Sequence, residues 1–454
     1  MTAPAVCAAG RSLWRDVVTG ISAAAAVARS EVSIKEREPL VSAFARTCLT
    51  RAMSEAGASD DAVSIGRSRR LEGRLWAAKD LFDTAGIETS AGSKVLEGRI
   101  PDTDAVAVDR MSRAGAILIG KARTHEFAFG VTTPETNNPI DLDRVVGGSS
   151  GGSAAVVAAG YCDLSLGTDT LGSVRIPAAC CGVVGLRPTH GLVPVTGVVT
   201  MAWSFDAVGP ICRTVADVAD VLSVISDRAE DYARDLAKDV AGVRIGVPTN
   251  YFFDNVDPEV ENAVRDSLSA LEEAGAVLVP VHIPLLEYAV AVAFAVNLPE
   301  SLDAHREWYP AKADMYSDEV RSYLEVGALR PARQYIRAQR IRAAIARSWI
   351  EATRHVDVVT APTLPCVAPL STDTVVALPQ GDVPVVPALL GLNVPASIIG
   401  LPAMSVPCQR SGDQMPVGLQ IIGRHYGESA VLHVGSAVER LVASPRLPLD
   451  CRLS

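Results

Sequence analysis

The sequence predicts an α/β protein, a mixed sheet covered by helices and interrupted by a helical insertion. Three observations carry this. From Leu75 onward, short apolar runs alternate with stretches of helical periodicity. Residues 285–356 break that alternation and read as mostly helical and arginine-rich. The last part of the chain returns to strand, glycine and helix.

The elements follow in order. Residues 12–57 read as helices with alanine-rich apolar faces and a break near 31–38; residues 58–70 read as a polar, basic connection. Strands are expected at 116–119, 164–166, 183–184, 243–247, 277–281 and 358–359, where the apolar runs are short and aliphatic. Helices are expected at 215–225 and 257–274. The second has Pro258 just inside its start and Gly275 just past its end. Residues 361–402 carry many prolines and few charges. Residues 403–407 and 417–422 read as strands and 428–442 as a helix, and no repeat of 20–50 residues occurs.

Composition narrows the function classes. With 454 residues, 48% of them hydrophobic, the chain can bury a large core, which excludes a disordered protein. A net charge of −10 argues against nucleic acid, because phosphate binding needs clustered Lys and Arg. The arginines of residues 330–347 are read as a solvated helix face. No apolar run reaches the roughly 18 residues of a membrane span, and the first residues lack the order of a signal peptide, so a cytoplasmic enzyme is expected. Nine cysteines without C-x-x-C and seven histidines without a metal-binding spacing suggest neither a disulfide framework nor a metal site.

Of 42 basic residues only six are lysines. Where arginine is the default cation, a lysine in an apolar run invites a chemical reading, since lysine can lose its proton on burial and arginine cannot. Lys79 lies in such a run, Leu75-Trp76-Ala77-Ala78-Lys79-Asp80-Leu81-Phe82. Buried there, it would have a lowered pKa and could act as a base.

The most specific segment is Gly147-Gly148-Ser149-Ser150-Gly151-Gly152-Ser153, which opens a helical stretch. A P-loop would need Lys beside Ser or Thr, and none follows. G-x-S-x-G occurs twice, centred on Ser149 and Ser150, which keeps an α/β-hydrolase nucleophile elbow in play. Twenty-four residues after Ser149, a strand runs into Gly167-Thr168-Asp169-Thr170-Leu171-Gly172-Ser173-Val174-Arg175-Ile176-Pro177. Backbone N–H groups converging beside Ser173 could hold an oxyanion.

Together these segments resemble the amidase signature family. The resemblance covers nearly the whole chain and extends through Cys181-Gly182-Val183-Val184-Gly185-Leu186-Arg187-Pro188-Thr189, Gly400-Leu401-Pro402-Ala403 and Pro416-Val417-Gly418-Leu419-Gln420. It implies a large mixed, mostly parallel-type twisted sheet with helices on both faces. It also implies one domain over 1–454, with N-terminal helices at 12–57, a catalytic core at 70–240, the insertion at 285–356 and C-terminal core elements at 357–443. By the same resemblance Ser173 is the nucleophile, Ser149 the bridging serine with a cis peptide, and Lys79 the base. The amides of Thr170, Leu171, Gly172 and Ser173 form the oxyanion hole, and Phe127, Ala128 and Phe129 line the substrate pocket. Asp169 and Arg175 hold the turn, and Ser150 and Ser153 orient the loop. The chain departs from the family pattern at Leu171, where glycine is common, at Trp76-Ala77-Ala78 before the lysine, and at His190; no catalytic group is lost.

The expected function is a cofactor-independent and metal-independent amidohydrolase forming an acyl-enzyme on Ser173. Its substrates would be small amides, with anilides, esters, carbamates (a urethanase activity) and urea-like carbonyls chemically close. The alternative is the amidase component of a tRNA-dependent glutamine amidotransferase, which needs a partner protein. No nucleic acid or membrane partner is expected, and a homodimer is left open.

Overall fold

Strand identity follows from burial on both faces. The computed structural model describes residues 21–410 and 415–442. In chain order its strands are β1 (Phe44–Thr47), β2 (Leu75–Lys79), β3 (Ile117–Ala122), β4 (Leu164–Asp169), β5 (Val184–Arg187), β6 (Ala207–Cys212), β7 (Arg244–Pro248), β8 (Val277–Val281), β9 (Val358–Pro362), β10 (Val375–Leu378), β11 (Gly381–Pro384), β12 (Ala403–Arg410) and β13 (Pro416–Ile422). β10 and β11 form a separate hairpin. The rest form one sheet in the order β1-β3-β2-β4-β6-β5-β12-β13-β9-β7-β8. β2, β3, β4, β6, β9 and β13 are buried at every position, and in β2 and β3 this shows as an apolar run without alternation.

The sheet is mixed. The expected parallel pairing lies in two wings, β3-β2-β4 and β9-β7-β8. The centre from β4 through β6, β5, β12 and β13 to β9 is antiparallel, as is the β1 edge on β3. Parallel neighbours need a crossover, and the helices Val106–Arg113 and Pro258–Glu273 supply it between β2 and β3 and between β7 and β8.

Several expectations change. The helix Ala23–Val41 runs unbroken through 31–38, because Ile34 keeps its buried stripe continuous, Glu31, Lys35 and Glu36 face outward, and Arg37 and Glu38 bond to the Ala159 carbonyl and the Phe44 amide. The interruption falls later, where β1 joins the sheet edge, and the next helix, Leu49–Ser64, runs past residue 57 into the expected basic connection. The expected helix from about residue 12 lies, up to residue 20, outside the described residues, as does residue 443. β6 was concealed by Gly209-Pro210. The glycine is required there, since a Cβ would lie 2.1 Å from the Leu186 carbonyl oxygen. The proline-rich 361–402 segment contains the β10–β11 hairpin and the short helices Val385–Gly391 and Val394–Ile399.

Within 285–356 stand the helices Ala289–Ala304, Asp318–Ala328 and Ala332–Thr353. A second apolar cluster, separate from the main core, joins Tyr316, Val320 and Leu324 of this region to Leu81, Phe127 and Phe129. It sets the insertion against the ends of β2 and β3. No helix among the described residues is long and apolar enough to cross a membrane.

Candidate active site

β2 ends on Lys79, whose side chain is wholly buried. Its Nζ donates to Ser149 Oγ at 2.7 Å and to Thr168 Oγ1 at 2.8 Å. Burial lowers its pKa to about 7, against the opposing pull of the Asp206 and Asp169 carboxylates. At neutral pH a large share of this amine is therefore unprotonated.

The glycine-rich loop leads into the helix Gly151–Ala158, and its glycines answer to space. A Cβ on Gly148 would lie 2.7 Å from Thr132 N, and one on Gly152 2.5 Å from the Ala43 carbonyl oxygen. The Gly148–Ser149 peptide is cis. The Ser149 carbonyl accepts from His125 N–H at 3.1 Å and from Thr133 Oγ1 at 3.2 Å, which anchors the loop under Lys79. Ser150 is closed off, its Oγ donating to the Thr168 carbonyl at 3.1 Å and accepting from Thr168 N–H at 3.3 Å. Ser153 Oγ donates to the Leu166 carbonyl at 3.1 Å. Both fit loop-orienting roles.

β4 carries Thr168 and Asp169 into the second turn. Arg175 grips Asp169 with two hydrogen bonds, Nε–Oδ2 at 3.0 Å and Nη2–Oδ1 at 3.1 Å, and Arg187 Nη1 adds a third at 3.1 Å. Burial alone would raise the Asp169 carboxyl, but Arg175 and Arg187 overcome it and hold the group well below the usual carboxylate range. The ionised carboxylate accepts from Gly172 N–H at 2.8 Å and from Val174 N–H at 3.3 Å, so it shapes the turn that presents Ser173.

This corrects the oxyanion-hole expectation at Gly172, whose amide is already committed to Asp169. Among the described residues no acceptor meets the amides of Thr170, Leu171 and Ser173, and these three can receive an oxyanion. Gly172 is conformationally required, with φ +129° and only 2.7 Å between a built Cβ and Asn393 Cβ. Ser173 reaches the first loop through its backbone, its carbonyl accepting from Ser150 N–H at 3.3 Å. No hydrogen bond among the described residues joins the Ser149 and Ser173 hydroxyls. Ser173 keeps 7% exposure while Ser149 and Ser150 have none, so of the three serines it is the one a solute can reach.

Of the pocket residues, Ala128 borders a narrow recess shared with Leu81, Thr168, Thr170, Val199 and Asp206. Phe127 and Phe129 do not line it. Phe127 stacks on Trp308 at 5.7 Å and Phe129 on Tyr323 at 5.9 Å between ring centroids.

Three residues were missed in the sequence. Thr168 lay inside a recognised motif without a role. Asp206 accepts from Thr170 Oγ1 at 2.7 Å and from the amides of Met201 and Ala202 at 2.9 and 3.1 Å. Burial raises its pKa to about 6 in spite of those hydrogen bonds. A lone aspartate before an apolar run gave no signal. The third is Lys121 on β3, whose Nζ donates to the Phe82 carbonyl at 2.6 Å and Thr89 Oγ1 at 2.7 Å and lies 3.4 Å from Asp80 Oδ1. Its rarity as a lysine was the available signal. Lys121 clamps the turn that leaves Lys79. Lys121→Met would strip the buried Asp80 carboxylate of its buried cation, leaving the half-buried Arg46 at 3.3 Å and the hydrogen bonds from Ser90 N–H and Oγ. The expected loss, read from denaturant midpoints, is on the order of 3 kcal/mol; an unchanged midpoint would show that the pair contributes nothing.

Among the described residues no group of three or more His, Cys, Asp or Glu side chains is placed to hold a metal ion.

A family model described as Amidase matches residues 25–432. A protein named Amidase from Pseudomonas putida is 40% identical over 420 residues, covering 90% of both chains. A glutamyl-tRNA(Gln) amidotransferase subunit from Roseiflexus sp. (strain RS-1) is 37% identical over 459 residues, covering 91% of this chain and 92% of its own. Among solved structures, one described with a vestigial protein complex and the evolutionary origins of an s-triazine catabolic enzyme superposes with a TM-score of 0.90. It is 32% identical and the match covers 95% of this chain and 98% of that one.

Proposed function

The chain belongs to the amidase signature family, whose members hydrolyse amide C–N bonds, and from that premise we propose that it is a free-standing amidohydrolase acting through an acyl-enzyme on Ser173. The observation that carries this reading is the 2.7 Å hydrogen bond from a fully buried lysine to Ser149. In the proposed cycle a substrate carbonyl settles against the amides of Thr170, Leu171 and Ser173. Ser173 Oγ attacks the carbonyl carbon, its proton passes to Ser149, and the Ser149 proton passes to neutral Lys79. The second link of that relay closes as the substrate draws Ser173 inward, since such contacts tighten in the complex. On collapse the C–N bond breaks and the leaving nitrogen takes the proton back along the same path. Water then attacks the acyl-enzyme, losing its proton to the relay, and releases the acid.

Small amides are the proposed substrates, with anilides, esters, carbamates and urea-like carbonyls as related candidates, and the protein is taken to act in the cytoplasm without a cofactor. The second reading, a component of an amidotransferase that draws ammonia from glutamine with a partner protein, is favoured by the Roseiflexus relative. Against it stands the aliphatic part of the recess, Leu81, Ala128, Val198, Val199 and Met201, beside an Asp206 carboxylate that would repel the α-carboxylate of an amino acid. The two separate in one assay. The isolated chain is expected to hydrolyse anilides, aliphatic amides or carbamates at a rate EDTA does not change. A chain inert on all of these that releases ammonia from glutamine only once a partner is added would transfer the assignment to the amidotransferase.

A further inference from the structure

The recess at Thr168, Thr170 and Asp206 borders a basin of about 380 Å³: Val198, Val199 and Thr200 line both, and the basin also takes in Trp203, Arg306 and Trp308. Aromatic residues make up only 5% of this chain, so two tryptophans at one basin are a concentration. Trp203 is 60% exposed, while Trp76 and Trp349 are buried. An indole left in water beside a recess that reaches the catalytic turn is poised to lose that water to a ligand.

The placement is held from two sides. The Trp203 carbonyl accepts from His190 Nε2 at 3.2 Å. The amides of Met201 and Ala202, next along the same turn, bind Asp206 in the recess. Trp308 is backed by the face of Phe127. The charges at the basin cancel: Arg99 forms two hydrogen bonds with Asp83, at 2.6 and 2.8 Å, and Arg306 lies 3.5 Å from Asp303. What the basin presents is therefore two indoles among paired charges, with an aspartate in the adjoining recess that disfavours an anionic ligand.

We propose that this basin is a distal substrate subsite for a flat, uncharged aromatic ring, so that the preferred substrates are neutral amides carrying an aryl group on a short linker. The proposal rests on the amidohydrolase reading for its turnover arm only. Two probe pairs test it. With the ring on the acyl side they are 4-phenylbutanamide and 4-cyclohexylbutanamide; with the ring on the amine side, N-(3-phenylpropyl)acetamide and N-(3-cyclohexylpropyl)acetamide. In at least one pair the phenyl member is expected to have about tenfold higher kcat/KM. The phenyl-to-cyclohexyl ratio falls towards one in Trp203→Leu and is kept in Trp203→Phe. A ratio near one in both pairs, or a ratio that Trp203→Leu does not alter, overturns the subsite.

Binding separates this from the hydrolase reading. Calorimetric affinities on Lys79→Ala protein are expected to favour the phenyl probe by the same factor, and the preference is expected to vanish in Lys79→Ala/Trp203→Leu. That result supports the subsite even if no amide is turned over. Equal affinities for both members overturn it even if hydrolysis is observed.

Discussion

Ser173→Ala is expected to abolish turnover, with a loss of roughly 10⁴-fold or more, and to abolish covalent labelling by a fluorophosphonate. The expectation rests on the asymmetry among the serines. Ser150 is tied at both ends to the Thr168 backbone, and Ser149 is occupied by Lys79. Only Ser173 adjoins the three amides without an acceptor and reaches the surface. Ser150→Ala should still take the label, because its hydroxyl braces the loop. Label that survives in Ser173→Ala and disappears in Ser150→Ala would move the nucleophile to the first loop and restore the α/β-hydrolase elbow.

Substitution of Lys79 comes next in size. Lys79→Ala is expected to cost several orders of magnitude, and Lys79→Arg nearly as much, because a guanidinium cannot take up a proton at neutral pH. The wild-type protein should show the same chemistry in its pH dependence. In the proposed mechanism the base is the neutral amine, and its pKa is lowered to about 7 by burial. Below that value the protonated form accumulates and kcat/KM is expected to fall roughly tenfold per pH unit; above about pH 8 it levels off. A profile flat from pH 5 to pH 8 would remove Lys79 from the role of base.

Local signals made much of this legible. Lys79 stood out as a rare cation in an apolar run, and the two serine turns were marked by glycines that the close packing of the loop demands. Asp169 and Arg175, read as holding the turn, are found doing so. What was not legible depends on distant partners. The Asp206 contact with Thr170 spans 36 residues and the Lys121 contact with Phe82 spans 39. Gly172 shows a subtler limit. The family resemblance placed its amide in the oxyanion hole, but only the position of the Asp169 carboxylate shows that this amide is already used. The antiparallel centre of the sheet was hidden for a related reason: β6 carries Gly209-Pro210 and was not read as a strand, and the pairing of the expected strands β5, β12 and β13 is set by partners far along the chain.

The burial of Lys79 also acts on the protein as a whole. Unfolded, this amine returns to the ordinary lysine value of 10.5; folded, it titrates near 7. Between those two values the unfolded chain holds a proton here that the folded chain has released, so the folded state gains stability as pH rises across the interval. Below it both states are protonated, and the fold bears the full penalty of a cation sealed from water. The burial that lowers this amine's proton affinity thus costs the fold stability around neutrality, and a methionine in its place is expected to give a firmer protein that, on the proposed mechanism, is inert.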